Sequence, residues 1–245
     1  MRALSLFALL LSASLQAEVL FTDSFDGSAV DPNKWNTVLP FGDSSVTQSN
    51  GSLVQKNRGI AFINQSFNGP YELTGSFVKH TSYGIFGITL RSDGSLSSSD
   101  HYYEPNGLSI FFWGPANRPT PNDQGLGWVD IRGAVHGVYE WGNNVALADE
   151  QEHFFKITDY GTNIRIELDG TLLVDYQTSF SLGGQIGFDN SPSRDNFGSG
   201  PARWEGNTEI KSVQVSTVVP EPSSVSLMAL GAVVVVALGN IRKKH

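Results

Sequence analysis

His153-Phe154-Phe155-Lys156-Ile157-Thr158-Asp159 is followed by Tyr160-Gly161-Thr162, by Asn163-Ile164-Arg165-Ile166-Glu167-Leu168, by Asp169-Gly170 and by Thr171-Leu172-Leu173-Val174-Asp175-Tyr176. Ile164, Ile166 and Leu168 alternate with polar residues, and Leu172, Val174 and Tyr176 answer them across Asp169-Gly170. A period of two marks a half-buried strand. Asp-Gly supplies the positive φ angles of a tight primed turn. The turn Asp159-Tyr160-Gly161-Thr162 brings Phe155 and Ile157 alongside by the same chemistry. Three successive antiparallel strands follow, each with one apolar face.

The pattern continues on both sides. Further strands are predicted at Val19–Phe25, Ser52–Val54, Ile60–Phe62, Tyr71–Lys79, Gly84–Arg91 and Leu108–Trp113. Others are predicted at Gly127–Ile131, Val135–Trp141, Gln185–Asp189 and Glu209–Ser216. No amphipathic helix and no internal repeat interrupts them. Ser, Pro, Asn and Gly make loops of Ser92 to Asp100, Gly114 to Gln124 and Asn190 to Asn207. So many short strands in roughly 200 residues imply one all-β domain, a jelly-roll-like antiparallel β-sandwich over residues 18–217. Its closing strand is expected beside its first.

The two ends read differently. Met1 to Ala17 has a basic residue, Arg2, an apolar run from Leu4 to Leu11, and small residues before Ala17. This is the layout of a removable signal peptide. At the other end Val219-Pro220-Glu221-Pro222 precedes an apolar stretch from Val225 to Ile241. The chain closes on Arg242-Lys243-Lys244-His245. About 17 apolar residues is the minimum for one transmembrane helix, and the basic cluster beyond keeps the C-terminus in the cytoplasm. The predicted organisation is a signal peptide over 1–17, the sandwich over 18–217, and a tail over 218–245. The tail's Pro-Glu-Pro, short span and basic end together resemble the PEP-CTERM sorting signal. That resemblance implies export to the envelope or extracellular matrix of a biofilm-forming bacterium. It also implies an exosortase as partner, acting on Val219, Pro220, Glu221, Pro222 and Arg242.

Composition narrows the chemistry. The chain has no cysteine, so disulfides, thiolate metal sites and thiol nucleophiles are excluded together. The net charge of −8, with no basic patch outside the termini, excludes nucleic acid as a partner.

Phe21-Thr22-Asp23-Ser24-Phe25-Asp26-Gly27, followed by Asp31-Pro32-Asn33-Lys34-Trp35, resembles the N-terminal entry of concanavalin A-like lectin/glucanase domains. The run from His153 to Gly170 resembles the central hairpins of their laminin G-like relatives. Gly184-Gln185-Ile186-Gly187-Phe188 resembles the strand after them. The glucanases of that superfamily carry Glu-x-Asp-x-x-Glu on one strand, which sets two carboxylates about 5 Å apart for retaining hydrolysis. This chain lacks it. Asp149-Glu150-Gln151-Glu152 has the wrong spacing and reads as a solvated turn. Glu140 stands alone on a strand beside aromatics. The five histidines form no zinc pattern, and His153 reads as structural. No cofactor is required. Some relatives hold calcium, and by resemblance Asp26, Gly27 and Glu209 would be its ligands.

Aromatic residues cluster in one section of chain: Tyr102, Tyr103, Phe111, Trp113, Trp128, Tyr139 and Trp141. Flat rings take the C–H faces of pyranoses, and Asn and Arg read hydroxyls. The candidate carbohydrate-binding residues are Trp113, Trp128, Trp141, Tyr139, Arg91 and Asn106. The expected activity is polysaccharide binding without catalysis. A hydrolase or lyase with an atypical site, or a protein-binding surface module, are the alternatives.

Overall fold

Pleat and turn chemistry turn these runs into strands in a computed structural model, which describes residues 16–80, 84–99, 102–113, 127–133, 139–145, 147–179, 181, 183–192 and 207–218. In chain order they are β1 (Val19–Asp23), β2 (Trp35–Val38), β3 (Ser45–Ser49), β4 (Ser52–Lys56), β5 (Ile60–Ile63) and β6 (Tyr71–Lys79). Next come β7 (Gly84–Ser92), β8 (Leu96–Ser99), β9 (Tyr102–Pro105), β10 (Leu108–Trp113), β11 (Gly127–Gly133) and β12 (Tyr139–Val145). Last are β13 (Glu152–Asp159), β14 (Asn163–Leu168), β15 (Thr171–Gln177), β16 (Gln185–Pro192) and β17 (Asn207–Thr217). Residues 18–217 form one unit. Among the described residues no helix is long and apolar enough to cross a membrane. The signal run to Leu15, the sorting residues Val219, Pro220, Glu221, Pro222 and Arg242, and the apolar stretch between them lie outside the described residues.

Two antiparallel sheets face each other. The eight-stranded sheet runs β15-β14-β13-β6-β17-β4-β3, with β1 also on β17. The seven-stranded sheet runs β12-β11-β10-β7-β16-β5-β2, and β8-β9 form a separate hairpin. The closing strand does return beside the first: Phe21 to Asp23 of β1 pair with Val215 to Val213 of β17. β4 takes the other half of the same edge, from Asn207 to Ile210.

Alternation fills the space between the sheets. Phe77, Phe86, Phe112, Phe155 and Phe188 form its ring cluster, with Phe77 stacked on Phe86 at 4.2 Å between centroids. Trp35 closes one end against Phe21, Phe25 and Phe188. Its indole N–H donates to Asp23 at 2.7 Å, and Asp23 also accepts the Phe25 amide at 3.0 Å. The N-terminal motif is thus a polar clasp around a buried tryptophan. At two places polar side chains tie the sheets together. Asn190 of β16 donates to the Gln55 carbonyl at 3.1 Å and to Thr208 at 2.9 Å. Arg91 of β7 reaches Asp159 of β13.

The sequence reading needs three corrections here. The predicted loop from Ser92 to Asp100 contains β8, paired with β9 as a hairpin. β2, β3 and β9 were not predicted. Where β15 pairs with β14 the register shifts between Ile166 and Glu167 of β14, so Leu173 joins the core and Leu172 is 43% exposed.

Candidate functional site

The outward face of the seven-stranded sheet is defined by register. In β10, Leu108, Ile110 and Phe112 belong to the core, so Ser109, Phe111 and Trp113 have the opposite parity. Trp113 pairs with Trp128, Phe111 with Asp130 and Ser109 with Arg132. On the next strand Asp130 pairs with Trp141 and Arg132 with Tyr139. Trp113, Trp128, Trp141 and Tyr139 therefore occupy register positions on one face, at its β10–β12 end. Glu140 pairs with Ile131, in the row of the core residue Ile110, and has the other parity.

Toward the middle of the sheet the same rows carry residues that the sequence did not single out. Gly87 pairs with Phe111 and Asp189; Thr89 pairs with Ser109 and Gly187. The Thr89 and Ser109 hydroxyls are 2.8 Å apart, and both residues are fully buried. Gly87 is glycine because the Asp189 carboxylate fills its Cβ position, with Oδ1 1.6 Å from where that atom would lie. Gly187 likewise makes room for the Phe62 ring, at 2.8 Å, and Pro105 of β9 stands beside it. Phe62, Phe111 and Asp189 are buried, so the middle of this face is closed to solvent. Cross-strand glycines were the available signal for Asp189, but glycine in a strand has too many other uses to be decisive.

Two expected sugar-reading residues have other work. Arg91 is 8% exposed and bidentate to Asp159, from Nε at 2.9 Å and from a terminal nitrogen at 2.6 Å, and it also donates to the Gly161 carbonyl at 2.7 Å. Its position is set by a bulge. Ser92 pairs with Gln185 but Thr89 with Gly187, so β7 carries one extra residue there, and Arg91 takes φ 56°. The guanidinium turns inward rather than onto a ligand surface. Asn106 donates to Asp93 at 3.0 Å, and its amide N–H donates to the Ser95 carbonyl at 2.9 Å, closing the base of the β8–β9 hairpin. Hydrogen bonds from Ser95 hold the Asp93 carboxyl below its ordinary range.

The calcium residues do not form a cage either. Glu209 is engaged by the Lys211 ammonium, by His80 at 3.1 Å and by Ser52 at 3.2 Å. Asp26 accepts from Ser24 at 2.5 Å, and the Gly27 carbonyl accepts from Gln48 at 2.8 Å. Calcium needs six to eight oxygens, whereas Glu209 is served by the Lys211 ammonium. Among the described residues no three His, Asp or Glu side chains could hold a metal.

The acidic turn is not simply solvated. Asp149 pairs with buried Lys79 at 3.7 Å, Glu150 with His80 at 2.7 Å, and Glu152 accepts from Ser76 at 2.6 Å. Three acids clasp β6 and the residue that follows it. His153 is structural as expected: its ring bonds Asp169 at 2.8 Å and the Ala148 carbonyl at 3.0 Å.

No family model matches the chain, and no curated protein does. Solved structures do. A protein of unknown function with a galectin-like fold from Bacillus subtilis is 11% identical, at a TM-score of 0.63, over 83% of this chain and 98% of that one. The laminarinase from Rhodothermus marinus is 14% identical, at a TM-score of 0.60, over 84% of this chain and 99% of that one. The carbohydrate recognition domain of Emp47p is 14% identical, at a TM-score of 0.58, over 85% of this chain and all (100%) of that one. The fold is therefore the galectin-like, concanavalin A-like jelly roll. It houses a hydrolase and a lectin domain alike, so the fold does not assign the activity.

Proposed function

We propose that this is an exported, envelope- or matrix-associated protein whose sandwich binds polysaccharide without cleaving it. Its C-terminal tail is a sorting signal read by an exosortase in the membrane. One observation carries the binding half: the strand register gathers Trp113, Trp128, Trp141 and Tyr139 on one end of one sheet face. Aromatic faces at such an end suit the C–H surfaces of sugar rings. The likeness to a carbohydrate recognition domain agrees with this.

The likeness to a laminarinase favours a second reading, hydrolysis. Acid placement weighs against it. Asp130 and Asp189 share a row but are three strand spacings apart, about 14 Å at the backbone. Retaining hydrolysis needs about 5 Å between carboxyl groups and inverting hydrolysis at most about 9.5 Å.

The test uses the full-length protein in mild detergent against a panel of immobilised neutral and acidic polysaccharides. Binding in the micromolar to millimolar range is expected for at least one, because ordering and desolvation offset most of the contact energy of an open site. Trp113→Ala and Trp128→Ala should each weaken it about tenfold, with thermal unfolding measured alongside to separate binding from folding. Release of reducing sugar would overturn the non-catalytic reading. Failure to retain any glycan would leave the protein-binding alternative.

A further inference from the structure

The eight-stranded sheet also has an outward face, and one row across it is polar from β1 to β14, ending at the β15 edge on Leu172. Thr22 of β1 pairs with Gln214 of β17, Gln214 with Thr74 of β6, Thr74 with Lys156 of β13, and Lys156 with Glu167 of β14. Five strands place this row over about 19 Å. The side chains of Thr22, Thr74 and Gln214 have no protein partner among the described residues. Lys156 is already matched by Glu72 at 3.0 Å. Above the row stands Phe154, two residues before Lys156 and therefore on the same face. It is 59% exposed, the most exposed large apolar side chain among the described residues. Phe154 and the polar row line an open groove of about 440 Å³, with Ser212 at its floor.

An outward phenylalanine in the middle of a strand is costly to keep in water. Its neighbour Phe155 serves the core, so Phe154 is not needed for packing. A protein partner would want a wide apolar patch around the ring, whereas the groove beside it is lined mainly by the hydroxyls of Thr22, Thr74 and Ser212, the Gln214 amide, Lys156 with its partner Glu72, and the carboxylates of Asp23 and Glu167. One flat apolar face beside a line of hydroxyl and amide groups matches an uncharged pyranose chain. The ring takes C–H groups, and the row takes hydroxyls. We infer that this groove is a second carbohydrate site, for a neutral oligosaccharide lying across β1, β17, β6 and β13 with one sugar on Phe154. It stands on different residues from the aromatic end of the other sheet and does not depend on that site. Two sites on opposite faces would let one molecule bridge two polysaccharide chains, so that weak sites act together.

The experiment is titration of the full-length protein in mild detergent with laminarihexaose, cellohexaose and xylohexaose, in a Trp113→Ala/Trp128→Ala background. Residual binding of at least one hexasaccharide is expected there. Phe154→Ala should weaken it about tenfold, and Phe154→Trp should strengthen it, both with unchanged thermal unfolding because the ring is exposed. If the Trp113→Ala/Trp128→Ala protein binds none of the three while the parent binds, the second site is refuted and the first stands. If Phe154→Ala leaves residual binding unchanged, the groove is not the site. If Phe154→Ala instead converts a dimer to a monomer by light scattering, with hexasaccharide binding intact, the face is a self-interface and the inference fails. If the parent binds none of the three, the second site is refuted along with binding of these sugars at the first.

Discussion

Arg91 and Lys79 are both cations inside the sandwich, and they behave differently because their partners differ. Arg91 has two bonds to one carboxylate, and Asp159 also accepts the Gly161 amide at 2.8 Å. The pair is inaccessible to water and spans the two sheets. Tyr71, the cross-strand neighbour of Asp159, has its phenol pushed well above its ordinary pKa by burial and then by that carboxylate. Asp159→Asn should therefore cost about 3–5 kcal/mol, because it strands a buried guanidinium. Arg91→Met combined with Asp159→Leu should recover most of the loss, and urea unfolding of the single and double variants measures both. Among the described residues Lys79 has only Asp149, at 3.7 Å, and burial lowers its pKa from 10.5 to about 8. Below pH 8 it is charged in the folded and the unfolded chain alike, and the burial penalty is carried in full. Between about pH 8 and 10.5 the folded chain binds fewer protons than the unfolded one, so stability rises with pH. Lys79→Met should lack that rise. It should be the more stable protein at pH 7, with the advantage shrinking by up to about 3 kcal/mol as pH approaches 10. Parallel urea titrations of the two proteins at pH 7, 8, 9 and 10 would show it, and parallel curves would refute it.

At the scale of elements, what the sequence disclosed depended on whether alternation could choose a register. The β13–β14–β15 meander was legible because Ile164, Ile166 and Leu168 alternate cleanly and Asp169-Gly170 takes φ 50° and 76°. The irregular pairing beside β15 was not. Leu172, Leu173 and Val174 are apolar in succession, so either register satisfies the pattern, and only pairing with β14 decides that Leu173 is the buried one. This makes a sharp test. Leu172→Lys should change stability by less than about 0.5 kcal/mol. Leu173→Ala should cost about 2–5 kcal/mol. Denaturant midpoints giving the reverse order would show the register to be wrong. β2 and β3 escaped notice because they are short and largely polar, Asn36-Thr37 and Thr47-Gln48-Ser49, and close the sheet edges. The candidate site was half legible for a related reason. Parity within β10 groups Phe111 with Trp113, but pairing to β11 crosses Gly114 to Gln124, whose turn residues mark a loop too long to fix a register. The inward turn of Arg91 was not legible because a bulge reverses parity without altering composition. Phe154 was hidden in a pair of phenylalanines, one of which the pleat must turn outward.

At the scale of the molecule, the sandwich brings its own two ends to one place. The Glu18 amide N–H donates to the Thr217 hydroxyl at 2.9 Å, and the Thr217 amide N–H donates to the Glu18 carbonyl at 2.9 Å. These are the first and last residues of the sandwich unit. Under the export reading, cleavage after Ala17 makes the Glu18 nitrogen a free ammonium. A nitrogen that already donates to Thr217 keeps a partner after the cut. The domain's attachment to its tail then lies beside its new N-terminus, and the β1–β17 pairing holds both. The mature protein isolated from the producing cells should therefore begin at Glu18. A reporter fused after His245 should be active only in the cytoplasm, since the basic cluster stays inside. N-terminal sequencing and paired periplasmic and cytoplasmic reporters measure these outcomes. An intact Met1 on the mature protein would refute the leader, and periplasmic reporter activity would refute the orientation. Thr217→Val should leave the cleavage site unchanged and lower the unfolding temperature by only a few degrees, because it removes one exposed hydrogen bond worth about 1 kcal/mol.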